Sequence, residues 1–174
     1  EHGRIWRLRP KGKALARKEN PAKATVKELA QALADDNPWR RSTAQRVLLE
    51  RNDRGACDHL ARLIRDEGTA PSGVIRALHT LRSLKSLESS DVLVALNHED
   101  HGVRVHGLRL AEPWLDSDET LRSQLIRMSQ DPDPRVRLQL AMTLGESKDT
   151  WSVEPLRDLA ERHGGDRWMA TALL

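Results

Sequence analysis

Three histidines, His98, His101 and His106, with Glu99 and Asp100 between the first two, form the one cluster in the sequence with the residue types that hold a divalent metal. Such a site needs three or four ligands that converge and an outer shell that orients them. Spacings of three and eight residues across a turn do not bring side chains together by themselves, so the expected reading is a solvated turn, with metal binding as its alternative. Arg41, Arg104 and Arg137 recur at one register and could form either a ligand-contacting stripe or a repeated structural device. Trp39, Trp114, Trp151 and Trp168 fall near expected helix ends, where large rings either plug the ends of a core or stand out as interaction anchors. The plug is the favoured expectation. Cys57, beside Ala56, is expected to face the core as a small apolar residue, because a lone cysteine with no assigned base is a poor nucleophile. The sequence holds no Gly-rich phosphate loop, Gly-x-Ser-x-Gly elbow or His-Glu-x-x-His pair, so no catalytic and no cofactor-binding residue is assigned.

The elements that must position these groups repeat along the chain. The segments beginning at Arg41, Val74, Arg104, Arg137 and Ala170 align at intervals of 33, 30, 33 and 33 residues. In each, the fourth position is small or apolar (Ala44, Ala77, Gly107, Leu140, Leu173), and the seventh and eighth are mostly apolar, which marks one face of a helix. A second, shorter amphipathic stretch precedes every segment, as at Val26, Leu29 and Leu33 or at Leu121, Leu125 and Met128. Turn residues separate the two, for example Asp36-Asn-Pro38, Asp131-Pro-Asp-Pro134 and His163-Gly-Gly-Asp166. One helix pair cannot bury its own apolar face, so neighbouring pairs must stack into a single elongated core. The pattern predicts ten helices in five antiparallel pairs from about residue 25. Leu29, Leu33, Val47, Leu48, Leu60, Leu81, Leu93, Leu96, Leu110, Leu125, Leu140, Leu144, Leu156 and Leu159 are expected in the core.

Composition agrees with an all-α class: Phe and Tyr are absent from the 174 residues, whereas sheets favour aromatic and β-branched residues. No run approaches the roughly 18 apolar residues of a membrane span. One cysteine excludes an internal disulfide framework. The net charge of +3 is unevenly placed. Residues 1–24 hold eight of the 29 Lys/Arg and two of the 26 Asp/Glu, which leaves 21 basic and 24 acidic residues for 25–174. The basic excess belongs to a leader, 1–24, and the repeat region, 25–174, is slightly acidic. Starting at Glu1 without Met, the chain reads as a piece of something longer.

The period, the Asp131-Pro-Asp-Pro-Arg-Val-Arg137 turn and its weaker echo at 100–104 resemble HEAT repeats. The strings Trp39-Arg-Arg-Ser-Thr-Ala-Gln-Arg-Val-Leu-Leu-Glu-Arg-Asn-Asp53, Leu108-Arg-Leu-Ala-Glu-Pro-Trp-Leu115 and Arg135-Val-Arg-Leu-Gln-Leu-Ala-Met-Thr-Leu-Gly-Glu146 carry the resemblance further. They are similar to the HEAT region of the membrane-bound dehydrogenase family of planctomycetes and verrucomicrobia, the haem-binding Cys-x-x-Cys-His proteins. In that family a β-propeller precedes the HEAT region and a c-type cytochrome domain follows it. Gly3-Arg-Ile-Trp-Arg-Leu8 looks like a last propeller strand. The resemblance implies an α-solenoid of about five HEAT-like hairpins behind a short extended leader, in a periplasmic or secreted parent that carries haem c elsewhere. No Cys-x-x-Cys-His occurs here, so no haem ligand is carried onto a residue of this chain. It also implies a ladder in which a turn Asp and a second-helix Arg bond between neighbours. Asp35, Arg41, Arg104, Asp131 and Arg137 match its positions, while Gly68, Val74, Gly164 and Ala170 break it.

The function expected from these readings is a non-catalytic scaffold whose partners are proteins: the propeller and cytochrome domains of the parent, or another polypeptide. A nucleic-acid-binding or DNA-repair role is the alternative that some HEAT-like proteins suggest, but phosphate binding draws on clustered Lys/Arg and the repeat region is slightly acidic. A HEAT-like chromophore lyase is a third reading and would need a reactive group in a pocket. Apolar exposure is expected at the ends, from Ile5, Trp6 and Leu8 and from Trp168, Met169, Ala172 and Leu173.

Overall fold

In the computed structural model of the chain, residues 20–174 are described. The expected strand over Gly3 to Leu8 and most of the basic leader lie outside the described residues. The others form ten α-helices: α1 (Val26–Ala32), α2 (Pro38–Arg51), α3 (Cys57–Arg65), α4 (Pro71–Ser83), α5 (Ser89–Leu96), α6 (His101–Ala111), α7 (Glu119–Arg127), α8 (Pro134–Leu144), α9 (Val153–His163) and α10 (Arg167–Ala172). There is no strand among the described residues.

Local chemistry sets where the helices begin and stop. Thr25 opens α1 with a reciprocal cap: Glu28 N–H donates to Thr25 Oγ1, and Thr25 N–H donates to Glu28 Oε2. Each second helix of a pair, except α4, starts from an Asn or Asp that caps its first turn: Asn37, Asp100, Asp133 and Asp166. Pro38, Pro71 and Pro134 occupy first helical positions, where the missing N–H removes no helical bond. Helix α2 ends on Asn52 in the left-handed region (φ 48°). Helix α4 ends in a Schellman arrangement: Ser86 N–H reaches Leu81 O, Lys85 N–H reaches Arg82 O, and Lys85 takes φ 55°.

The pairs stack into two layers. Helices α1, α3, α5 and α7 lie side by side in one, and α2, α4, α6, α8 and α10 in the other. A single apolar core runs between the layers from Leu29 to Met169, which defines the chain as an all-α solenoid. Twelve of the fourteen expected core residues are buried. Leu93 and Leu156 are only partly buried and pack at the core's edge. In α5 the inward stripe is Val92, Ala95 and Leu96, which leaves Leu93 a third of a turn outside it. Gly107 is buried where α6 crosses α5, and a Cβ there would sit 3.1 Å from Leu96 Cδ2 and 3.2 Å from Ala95 Cβ, so the crossing is tight enough that any side chain would press on α5. Residues 20–24, assigned to the leader, are fastened to the first pair: Arg51 donates to the carbonyls of Ala22 and Ala24, each at 2.8 Å. At the far end Trp168 is exposed as expected, but Met169 is buried and Ala172 and Leu173 are partly so.

Candidate functional site

The recurring arginines are positioned by the turn inside each pair. Arg41 lies four residues past the cap Asn37, and its Nη1 donates to Asp35 O and Asp36 O at 2.7 and 2.9 Å. Arg104 repeats this with His98 O and Glu99 O at 2.8 and 2.7 Å. Arg137 repeats it again with Asp131 O and Pro132 O. Each guanidinium thus satisfies carbonyls of the turn that would otherwise lack partners. The stripe is a structural device first.

Among the described residues the ladder between neighbours has one rung. Arg104 Nε and Nη2 form a fork on Asp131 Oδ2 and Oδ1 at 2.8 and 3.0 Å, with side chains only 12% and 7% exposed. The other rungs fail because the next repeat offers no carboxylate at that position: Arg41 faces the register of Gly68, and Arg137 that of Gly164. The consequence is visible atom by atom. Among the described residues, the buried side-chain nitrogens left without a hydrogen-bond partner are Arg41 Nε and Arg137 Nε. Asp35, expected in the ladder, instead accepts from Arg40 and from Asn37 N–H in its own turn.

The three candidate metal ligands do not converge. His98 Nδ1 accepts from Asp100 N–H, His101 Nδ1 lies 3.7 Å from Asp133 Oδ2, and His106 points to another helix. No group of three or more His, Cys, Asp or Glu side chains able to hold a metal occurs among the described residues. His106 meets His79, a residue the sequence reading passed over: His79 Nε2 and His106 Nδ1 share a hydrogen bond of 2.9 Å with the rings edge to face. Both imidazoles are held below their ordinary range. Burial is the main cause for each, reinforced at His79 by His106, Arg82 and Arg109 and at His106 by Arg109.

That pair belongs to a series along the second-helix layer. Gln45 Oε1 accepts from Arg76 Nη1 at 2.9 Å, and Gln139 Oε1 accepts from Arg109 Nε at 2.7 Å. In every case a residue two past the repeat register (Arg76, His106, Gln139) bonds one four or five past it in the preceding repeat (Gln45, His79, Arg109). This offset was available in the sequence alignment and is the signal that would have found His79.

The tryptophans divide into two kinds. Trp114 and Trp151 are half-buried against the core, and Trp151 Nε1 donates to Asp116 while Arg122 lies over its ring. Trp39 and Trp168 are 64% and 63% exposed, which overturns the plug expectation for both, although for Trp168 it agrees with the separate expectation of apolar exposure at that end. Both stand at the second helical position after the cap, in the first and last described repeats. Arg167 lies over the Trp168 ring, 4.7 Å from its centre. Cys57 is a free thiol, half-buried against the core.

Residues 90–174, a little under half of the chain, match the family model for HEAT repeats, in keeping with the all-α solenoid of helix pairs. Comparison with curated proteins returned no match. HEAT repeats generally serve as protein-interaction scaffolds and typically carry no catalytic centre. No helix among the described residues is long and apolar enough to cross a membrane.

Proposed function

We propose that this chain is a non-catalytic scaffold that binds protein through the second-helix edge of its solenoid. The observation that carries this is the pair Trp39 and Trp168. Two large aromatic rings stand nearly two-thirds exposed at one helical position in repeats at opposite ends of the described solenoid. A ring left nearly two-thirds exposed buries little apolar area within the chain, whereas buried in a partner tryptophan is among the residue types that contribute most to binding. The resemblance of the three sequence strings supports a finer reading, in which the solenoid joins a dehydrogenase-like propeller to a c-type haem domain in a periplasmic or secreted parent. In that reading haem is held by the cytochrome domain and by no residue of this chain. The slightly acidic repeat region favours protein over nucleic acid as partner.

A photo-crosslinking amino acid placed at Trp39, at Trp168 and, as control, at the exposed first-layer residue Ser123 tests the scaffold in the full-length parent. Cross-links to protein are expected from the first two positions and not from the third; an even yield from all three would remove the proposal. Sequencing the flanking coding regions tests the finer reading, since it requires a propeller upstream and Cys-x-x-Cys-His downstream.

A further inference from the structure

The small net charge of the repeat region hides a division between its layers. Resting on the scaffold reading, we infer that the second-helix face of α4 and α6 docks an acidic, extended segment of a partner protein, held by Arg76, Arg82 and Arg109.

Helices α4, α6 and α8 carry Arg76, Arg82, Arg104, Arg109, Arg135 and Arg137 and no Asp or Glu. In the first-helix layer the signs are mixed, as in Asp58 with Arg62 in α3 and Glu119 with Arg122 in α7. Three of the six arginines are committed to the turns: Arg104 to Asp131, Arg135 to Asp133, and Arg137 to the carbonyls of Asp131 and Pro132. The other three meet only neutral groups. Arg76 Nη1 donates to Gln45 Oε1 and Arg109 Nε to Gln139 Oε1, while the exposed Arg82 side chain has no hydrogen bond or ion pair among the described residues. The acids closest in register are Glu50, paired with Arg46, and Glu112, just past the end of α6. The strip stays net positive with Glu112 counted.

Its shape defines what can lie on it. Between α2 and α4 an open groove of about 450 Å³ is lined by Gln45, Ser72, Ile75, Arg76 and His79, and no carboxylate is in its wall. The groove of about 520 Å³ beside Arg137 differs in having Asp166 there. Packed helix axes lie about 8–10 Å apart and an extended chain advances about 3.3 Å per residue, so carboxylates three residues apart reach Arg76 and Arg109 together. Each guanidinium keeps N–H groups to spare for such a carboxylate. A wide polyanion such as a nucleic-acid duplex would also meet Asp66, Glu67 and Glu99, which are exposed in the turns where α4 and α6 begin. A single strand needs rings on which to stack its bases, and α4, α6 and α8 hold no Phe, Tyr or Trp. An acidic polypeptide lying across the middle of the helices meets neither obstacle.

The 174-residue chain can be titrated at low salt with acetyl-Ser-Glu-Leu-Ser-Glu-Ser-amide while the Hε1 resonances of His79 and His106 are followed by NMR; His79→Gln and His106→Gln assign the signals. A saturable shift of both is expected. At saturation both imidazole titrations should move upward, because carboxylates beside them oppose the burial and the neighbouring arginines that hold them low. The peptide with Gln in place of both Glu should bind at least fivefold more weakly. Arg109→Glu and Arg82→Glu, both at exposed positions, should each weaken the Glu peptide at least fivefold with circular dichroism unchanged. Arg62→Glu makes the same charge change on the first-helix layer and should leave binding as it was. Equal binding of the two peptides, unchanged binding by folded Arg109→Glu and Arg82→Glu, an equal loss in Arg62→Glu, or an oligothymidylate that displaces the peptide at lower concentration would each overturn the inference. The outcomes separate the two readings. Cross-links from Trp39 and Trp168 alongside equal binding of the Glu and Gln peptides leave the scaffold standing without this surface. Selectivity for the Glu peptide without those cross-links does the reverse.

Discussion

Replacing Asp131 by alanine tests the single rung of the ladder. The substitution strands Arg104, a guanidinium 12% exposed whose Nε and Nη2 are both committed to Asp131, and it removes the acceptor that Asp133 N–H uses at 2.9 Å. Breaking one side of a largely buried, fork-bonded pair costs about 3–5 kcal/mol, because the remaining charge keeps its desolvation penalty and loses its partner. For a domain of this size each kcal/mol lowers the melting temperature by about 2–4 °C, so Asp131→Ala should melt roughly 6–20 °C below the parent chain. Arg137→Ala is the internal comparison. It loses the same kind of backbone bonds but no carboxylate, and it also removes an orphaned buried nitrogen, so its loss should be about 1–2 kcal/mol. Urea unfolding followed by circular dichroism at 222 nm, run as a double-mutant cycle with Arg104→Ala, should give a coupling of at least about 2 kcal/mol between Arg104 and Asp131. A loss below about 1 kcal/mol for Asp131→Ala, the range of exposed ion pairs, would refute the reasoning. So would Arg137→Ala and Arg104→Ala being equally harmful.

Three further outcomes are expected. His79 and His106 hold their protons less tightly in the fold than in the unfolded chain, so stability should be full above the ordinary imidazole range and decline as pH falls below about 6.5. The decline is at most roughly 1.4 kcal/mol per pH unit for each proton, and less here because both rings are partly open to screening solvent; urea midpoints from about pH 7.5 to 5.5 should flatten in His79→Asn, and an unchanged slope would count against the pair. Gly107→Val should lose about 1–3 kcal/mol by overpacking against Ala95 and Leu96, read as a lower urea midpoint at constant m-value. Lys85→Gly should instead gain about 0.5–1 kcal/mol, because glycine takes the left-handed cap conformation without the penalty a Cβ brings; a lower melting temperature would contradict the Schellman assignment.

The fold was legible because a solenoid writes its packing into a period. The Leu and Ala positions of each segment lie on one helical face, and the caps and prolines mark each entry. What escaped were distinctions within that pattern. Helix α5 is apolar over Val92 to Leu96, so periodicity could not rank Leu93 against Ala95, and the helix rotation that chooses between them is set by its neighbours. Trp39 and Trp168 read as plugs because hydrophobicity alone sends tryptophan inward, whereas each stands in the first turn just past a helix cap and is nearly two-thirds exposed. His106 was noticed for its sequence neighbours His98 and His101, but its partner is 27 residues away on an adjacent helix. The broken ladder could be read from Gly68 and Gly164, yet the orphaned nitrogen it leaves, and the groove beside one of them, exist only in three dimensions.

The uneven ladder also sets how the molecule yields to force. In a stack where each repeat touches only its neighbours, stability is a sum of repeat terms and junction terms, and the weakest junctions part first. The junction between repeats 3 and 4 holds the buried fork, the Arg109 to Gln139 bond and the reach of Thr143 Oγ1 to Leu108 O. The junctions on either side lack the fork. Pulled from its two ends, or heated, the solenoid should fray inward toward a four-helix kernel of α5, α6, α7 and α8. That kernel is the rigid middle of a spring whose compliance is concentrated near the repeats that carry Trp39 and Trp168.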